Sequence, residues 1–114
     1  MPNLTFHVGR GDFLPDITIA ATYSDGAVID LTTATSPKFI MRSASAADLS
    51  TPKVNTTATV VDGSAGTMRY SWAGTDTDTA GTYIAEFEVV IDGKKLTIPN
   101  RKQKLIVIVH GDLG

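Results

Sequence analysis

Residues 82–91 read TYIAEFEVVI, the clearest alternation in the sequence. One face of this stretch is predicted to be buried and carries Tyr83, Ala85, Phe87, Val89 and Ile91. The other face carries Ile84, Glu86, Glu88 and Val90, and the two glutamates mark it as the face toward water. Because successive side chains of a strand point to opposite faces, this period of two indicates a half-buried β-strand.

The segments after this strand continue the same pattern. Asp92 and Gly93 predict a tight hairpin into a strand at 94–98, which Pro99 and Asn100 end. A last strand is predicted at 103–110.

The segments before it repeat the pattern as far as the start of the chain. Strands are predicted around residues 4–8 and at 16–23, with a short continuation at 27–31, and then at 36–42, 53–61 and 67–72. Residues 43–51 are interpreted as a loop or one helical turn. Seven to eight short strands with regular turn signals are typical of an antiparallel sandwich or small barrel.

Length and composition limit the classes of protein and partner. The chain has 114 residues and no Cys, so we expect one domain over residues 1–114, without a disulfide framework or a thiolate metal site. A net charge of −2 gives no electrostatic support for a nucleic-acid partner. No apolar run approaches a membrane span, and the first residues lack the pattern of a secretion signal, so no membrane partner is expected.

A structural corner is predicted where the polar loop 73–81 meets the alternating strand. In immunoglobulin-like sandwiches, a tyrosine at the start of strand F donates a hydrogen bond to backbone just upstream. Asp78, Gly81 and Tyr83 are the residues assigned to this corner, and Ala85 stands where an antibody domain has its second Cys. The alternative is an ordinary half-buried tyrosine.

Several motifs, taken in order, resemble a known family. They are GDFLP at 11–15, IAAT at 19–22, VIDLT at 28–32, FIMR at 39–42, YSW at 70–72, AEF at 85–87 and DGK at 92–94. Together they resemble the immunoglobulin-like N-terminal domain of the phage baseplate upper protein family, over about residues 6–109. The resemblance implies an all-β, immunoglobulin-like antiparallel β-sandwich that serves as a structural module of tailed-phage virions, without catalytic residues or cofactors.

The function expected from this resemblance is that of a non-enzymatic virion protein acting by protein–protein contact, in the tail or baseplate or as an attachment subunit. Because the sequence stops at Gly114 without a receptor-binding portion, we expect a small subunit. Its partners would be other virion proteins or copies of itself, and it would be made and assembled in the bacterial host cytoplasm. A capsid decoration protein is one alternative. A carbohydrate-binding module is another, with a host-surface glycan stacking on Trp72, Tyr70 or Tyr23.

The last strand is the candidate interface. Its central residues are apolar on both faces, whereas a strand that is covered on one side only should alternate. These residues are Leu105, Ile106, Val107, Ile108 and Val109. We expect Ile106 and Ile108 to meet another subunit, and an unprotected edge here would invite strand addition. Cover from residues 43–51 is the alternative. Lys102 and Lys104 flank the strand and could deter misassociation.

Three further motifs suggest chemistry only weakly. His7 and His110 lie near the two ends of the chain and could share a metal ion, but no third ligand is evident, so no metal is predicted. Asp76, Thr77 and Asp78 loosely resemble a calcium loop, and bonding of turn backbone is the favoured interpretation. The tripeptide at 10–12 matches an integrin-binding motif and is interpreted as a turn.

Overall fold

The computed structural model describes residues 4–23, 25–44, 52–99 and 104–111. Nine strands and no helix occur in these ranges. They are β1 (Leu4–Gly9), β2 (Ile17–Ala20), β3 (Thr35–Ser43), β4 (Val54–Thr57), β5 (Thr59–Asp62), β6 (Thr67–Tyr70), β7 (Gly81–Ile91), β8 (Lys94–Ile98) and β9 (Leu105–His110). The all-β fold class predicted from the alternating sequence is confirmed.

A six-stranded sheet forms one layer, in the order β1-β9-β7-β3-β4, with β8 also paired to β7. Its pairs are antiparallel except for β1 and β9, which run parallel from Leu4↔Leu105 to Gly9↔His110. β7 is the central strand and is long enough to pair with two strands along one edge. Ala85 pairs with Leu105 of β9, and Phe87 pairs with Ile98 of β8, so β8 and β9 lie end to end along β7.

A three-stranded sheet in the order β2-β6-β5 forms the second layer. The inward faces of the two sheets enclose one hydrophobic core, as expected for a sandwich. The predicted inward residues of 82–91 lie in or against this core, and so do Met68, Tyr70 and Trp72.

The chain changes layers between β4 and β5. Residues 53–61 were predicted as one strand, but Val54–Thr57 pairs with β3 and Thr59–Asp62 pairs with β6. Ala58 is the buried crossing residue, and its backbone N–H donates to the carbonyl of Pro37 at 3.0 Å. This crossing raises the strand number above the predicted seven to eight.

Two other segments differ from the predicted elements. The continuation at 27–31 forms no strand, and Thr22 and Val28 make an isolated bridge instead. Of the predicted loop at 43–51, Ser43 belongs to β3 and Ala44 to a turn, while residues 45–51 lie outside the described residues.

Candidate interaction surface

The candidate interface strand β9 lies inside the six-stranded sheet. β1 pairs with one side of it and β7 with the other, so the expectation of an unprotected edge is wrong. The parallel partner β1 comes from the opposite end of the chain and covers that edge. Three of the five candidate residues, Leu105, Val107 and Val109, are buried in the core.

The other two candidates belong to a group of isoleucines on the outer face of this sheet. Ile84 of β7 pairs with Ile106 of β9, and Ile108 follows on the same face. Ile40 of β3 lines a pocket of about 340 Å³ together with Ile84. All four side chains are half-buried. We call Ile40, Ile84, Ile106 and Ile108 the outer-face isoleucine patch.

Charged residues lie beside these isoleucines on the same face. Glu86 pairs in register with Ile40, and Arg42 pairs with Ile84. Protein interfaces combine apolar contacts with polar and charged ones, and this face offers both kinds of side chain. Sequence reasoning identified Ile106 and Ile108 but missed Ile40 and Ile84, since it placed Ile84 on the water-facing side of its strand and assigned no face to Ile40.

The corner at the start of β7 contains the hydrogen bond expected from the sequence. Tyr83 is buried, and its hydroxyl donates to the backbone carbonyl of Thr79 at 2.6 Å. Gly81 begins the strand with a φ of 153°, a conformation that favours glycine. Thr79 precedes Tyr83 by four residues and belongs to the loop, so this hydrogen bond attaches the loop to the core.

Asp78 supports the corner from outside and makes no bond to Tyr83 in the described structure. Its carboxylate accepts hydrogen bonds from Lys53 at 2.7 Å and from the hydroxyl of Thr79 at 2.9 Å. These bonds, that from Lys53 above all, hold the pKa of the exposed Asp78 below its usual value. Thr79, which supplies the acceptor for Tyr83, was not singled out from the sequence because any residue can supply a backbone carbonyl.

The acidic loop uses its side chains to hold the fold together. Asp76 accepts hydrogen bonds from the Tyr70 hydroxyl and from the backbone N–H of Ala73. Thr77 is buried, and its hydroxyl donates to the carbonyl of Asp12 at 3.0 Å. The bonds to Ala73 and Asp12 are the turn-backbone bonding that the sequence favoured over a calcium loop, and the bond to Tyr70 joins two side chains.

The candidate aromatic platform for a glycan lies in the core. Tyr70 stacks on Phe39 at 4.5 Å between ring centroids, and Trp72 meets Phe39 edge-on at 5.6 Å. The indole N–H of Trp72 donates to the carbonyl of Pro15 at 3.1 Å. Both rings are buried, so neither can stack on a sugar, while Tyr23 is 50% exposed.

The two histidines meet across β1 and β9. His7 Nδ1 and His110 Nε2 are 2.9 Å apart, and both residues are exposed. Within the described residues, no group of three or more His, Cys, Asp or Glu is arranged to hold a metal ion. The pair therefore joins the first and last strands through a hydrogen bond.

The tripeptide at 10–12 forms a turn that is tied down through its backbone. The N–H of Arg10 donates to the carbonyl of His110 at 2.7 Å, and that of Gly11 donates to Thr77 at 2.8 Å. Gly11 has a φ of 78°, as a turn glycine often does. This geometry agrees with the interpretation as a turn.

Comparison with known proteins adds no family assignment. A scan against protein-family models and a search of curated proteins found no match. Nowhere in residues 4–23, 25–44, 52–99 and 104–111 is there a helix long and apolar enough to cross a membrane.

Proposed function

We propose that this chain is a non-enzymatic structural protein of a tailed-phage virion. It acts by protein–protein contact in the tail or baseplate, or as an attachment subunit. The observation that carries the contact function is the outer-face isoleucine patch. Four half-buried isoleucines lie on a sheet face where alternation predicts polar residues.

The order of the strands supports an immunoglobulin-like version of the sandwich. In that fold, strands B, E and D lie side by side in one sheet and C, F and G in the other. Here β2, β6 and β5 are neighbours in one sheet, and β3, β7 and β9 are neighbours in the other. The Tyr83 corner lies at the start of β7, the strand in the F position. Both features agree with the resemblance to the baseplate module.

Burial of the patch would supply binding energy. Each half-buried isoleucine that a partner covers contributes on the order of 1 kcal/mol from the apolar area removed from water. Glu86 and Arg42, which pair with Ile40 and Ile84, would favour one orientation of the partner over others. The partner is another virion protein or a second copy of this chain.

A capsid decoration protein is the alternative among structural virion proteins, because a contact face of this kind could bind a capsid as well as a tail. The glycan-binding alternative loses its main support, since Tyr70 and Trp72 are buried. Electron microscopy of particles labelled on this protein distinguishes head from tail. Label at the head would favour decoration, and label at the tail would favour the first proposal.

The contact function is tested with Ile106→Lys plus Ile108→Lys. We expect this double variant to fold as a monomer and to be lost from purified particles, as measured by quantitative mass spectrometry. The control is Val28→Lys plus Val61→Lys, at apolar positions that are 52% and 49% exposed away from the patch. Equal incorporation of the two double variants would refute the assignment of the patch.

A further inference from the structure

The two long sides of the sandwich are built differently. On one side the chain passes from β4 to β5 through Ala58, so a continuous backbone joins the two sheets. On the other side, β1 ends the six-stranded sheet and β2 ends the three-stranded sheet. A groove of about 300 Å³ lies between these two strands and is lined by Leu4, Phe6, Ile17 and Ile19 among others. We call this groove the β1–β2 seam.

The backbone of β2 presents hydrogen-bonding groups to the seam. The N–H of Ala21 donates to the carbonyl of Gly66 at 2.7 Å, in register with the pairs Ile17↔Tyr70 and Ile19↔Met68. Hydrogen-bonded pairs alternate along an antiparallel ladder, so the N–H and C=O of the even-numbered residues Thr18 and Ala20 point away from β6. Among the described residues, no backbone group bonds to them there.

The edge of β1 is arranged in the same way. The N–H groups of Leu4 and Arg10 donate to the carbonyls of Lys104 and His110 on the β9 side. In this parallel pair, the backbone groups of Thr5 and His7 therefore point away from β9. Two strand edges thus flank one apolar groove.

The edge of β2 also lacks the features that discourage strand pairing. β8 carries Lys94 and Lys95, and the pairing of β5 shifts register between Val60 and Asp62. Charged residues and irregular pairing of this kind protect sheet edges from adding further strands. β2 reads ITIA, without Lys or Pro, and pairs with β6 without a register shift.

We propose that the β1–β2 seam is a strand-addition site for an extended segment of a partner protein. The segment pairs with β2 through Thr18 and Ala20, and every second side chain enters the groove against Leu4, Ile17 or Ile19. Sandwiches with this strand order commonly have a fourth strand, A, beside strand B. Here β1 pairs with β9 instead, so no described strand occupies that place beside β2. Backbone pairing sets the chemistry of the partner as an extended chain with alternating apolar residues.

This site is separate from the outer-face isoleucine patch, so each can fail without the other. The probe is a synthetic peptide in which three valines alternate with three threonines, followed by two lysines for solubility. We expect saturable binding and at least tenfold slower hydrogen exchange of the Thr18 and Ala20 amides. A peptide of the same sequence with N-methylated alternate amides is the matched control and is expected not to bind.

Two proline variants test whether the peptide pairs with the edge of β2 or with that of β1. Ala20→Pro removes an outward N–H without removing a bond to β6, and edge positions of this kind tolerate proline. We expect it to weaken peptide binding at least tenfold, while Thr5→Pro on the β1 edge leaves binding unchanged. Circular dichroism verifies the fold of both variants, and amide exchange in the unaltered protein gives the result if Ala20→Pro does not fold.

Three outcomes would overturn the proposal. One is the absence of amide protection at millimolar peptide, and another is equal binding of the N-methylated peptide. The third is a dimer of the unaltered protein, seen by analytical ultracentrifugation, that Ala20→Pro dissociates. In that case the occupant of the edge is a second copy of this chain and not a segment of a partner protein.

Discussion

Tyr83 connects the core to the loop before β7 through a single hydroxyl group. The residue is 5% exposed, and its hydroxyl is 2.6 Å from the carbonyl oxygen of Thr79. The sequence could predict the donor because a tyrosine stands two residues after a glycine at a loop–strand boundary. It could not predict the acceptor, since every residue of the loop offers a carbonyl.

Removal of this hydroxyl should destabilise the domain. Tyr83→Phe leaves the carbonyl of Thr79 without its partner, and we expect a loss of about 1–3 kcal/mol in the free energy of unfolding. Urea denaturation measures the loss. Tyr23→Phe, at a 50% exposed position, is the control and should change stability by less than about 0.5 kcal/mol. Equal midpoints for the two variants would contradict the role of the corner.

Tyr70 gives the domain a predicted sensitivity to alkaline pH. Burial, followed by the hydrogen bond to Asp76 and the charge of that carboxylate, raises the pKa of Tyr70 well above its ordinary value. The folded state therefore favours the protonated phenol. The resulting stabilisation is complete below the unfolded-state pKa of about 10 and is lost as the pH rises toward the folded-state value.

The variant Tyr70→Phe tests this linkage. We expect the urea midpoint of the unaltered protein to fall more steeply than that of Tyr70→Phe between about pH 9.5 and 11.5. The variant is less stable at neutral pH because Asp76 loses a hydrogen-bond donor, so the slopes against pH are compared and not the absolute midpoints. Parallel slopes would rule out Tyr70 as the group responsible.

At the scale of elements, the turn between β5 and β6 depends on a glycine. Gly66 has a φ of 69°, and a Cβ there would lie 2.7 Å from the carbonyl oxygen of Ile29 and 3.0 Å from that of Ala21. Gly93, between β7 and β8, has a φ of 76° with nothing within 4 Å of such a Cβ. The two glycines share the left-handed conformation and differ in the space around them.

Alanine variants at these two positions distinguish the cost of backbone strain from the cost of steric crowding. Gly93→Ala should cost about 1–2 kcal/mol, the usual penalty for placing a side chain in the left-handed region. Gly66→Ala should cost at least about 1 kcal/mol more, because two carbonyls must move as well. Thermal or urea unfolding of both variants measures the costs. A smaller loss for Gly66→Ala than for Gly93→Ala would contradict the predicted crowding.

The strands differ in how far the sequence could predict them. β7 was predicted almost to its ends, since its alternation of buried and exposed residues is regular. The crossing from β4 to β5 could not be predicted in the same way. Both sheets bury their inward faces in one core. Apolar residues therefore keep the same alternate positions on either side of Ala58, although the chain changes sheets there.

The place of β9 in the sheet was beyond sequence reasoning for a related reason. Alternation reports which face of a strand is buried but does not report which strands lie beside it. Its neighbour β1 is about a hundred residues away along the chain and runs parallel to it. The outward positions of Ile106 and Ile108 were correctly inferred, whereas the expected edge was not.

At the scale of the whole molecule, the described structure offers two candidate contact regions of different kinds. The outer-face isoleucine patch presents side chains and suits a partner with a complementary apolar surface. The β1–β2 seam presents backbone groups and suits an extended chain. The sequence indicated half of the first region and gave no sign of the second, because the seam exists only once two distant strand edges face each other.

The parallel pairing of β1 with β9 also determines how the domain should respond to mechanical force. Residues 4 and 110 lie at opposite ends of the ladder that runs from Leu4↔Leu105 to Gly9↔His110. Tension applied between these two points slides the strands lengthwise past each other. All the hydrogen bonds of the ladder then share the load instead of opening one after another, so the domain should withstand stretching far better than a hairpin pulled apart from its open end.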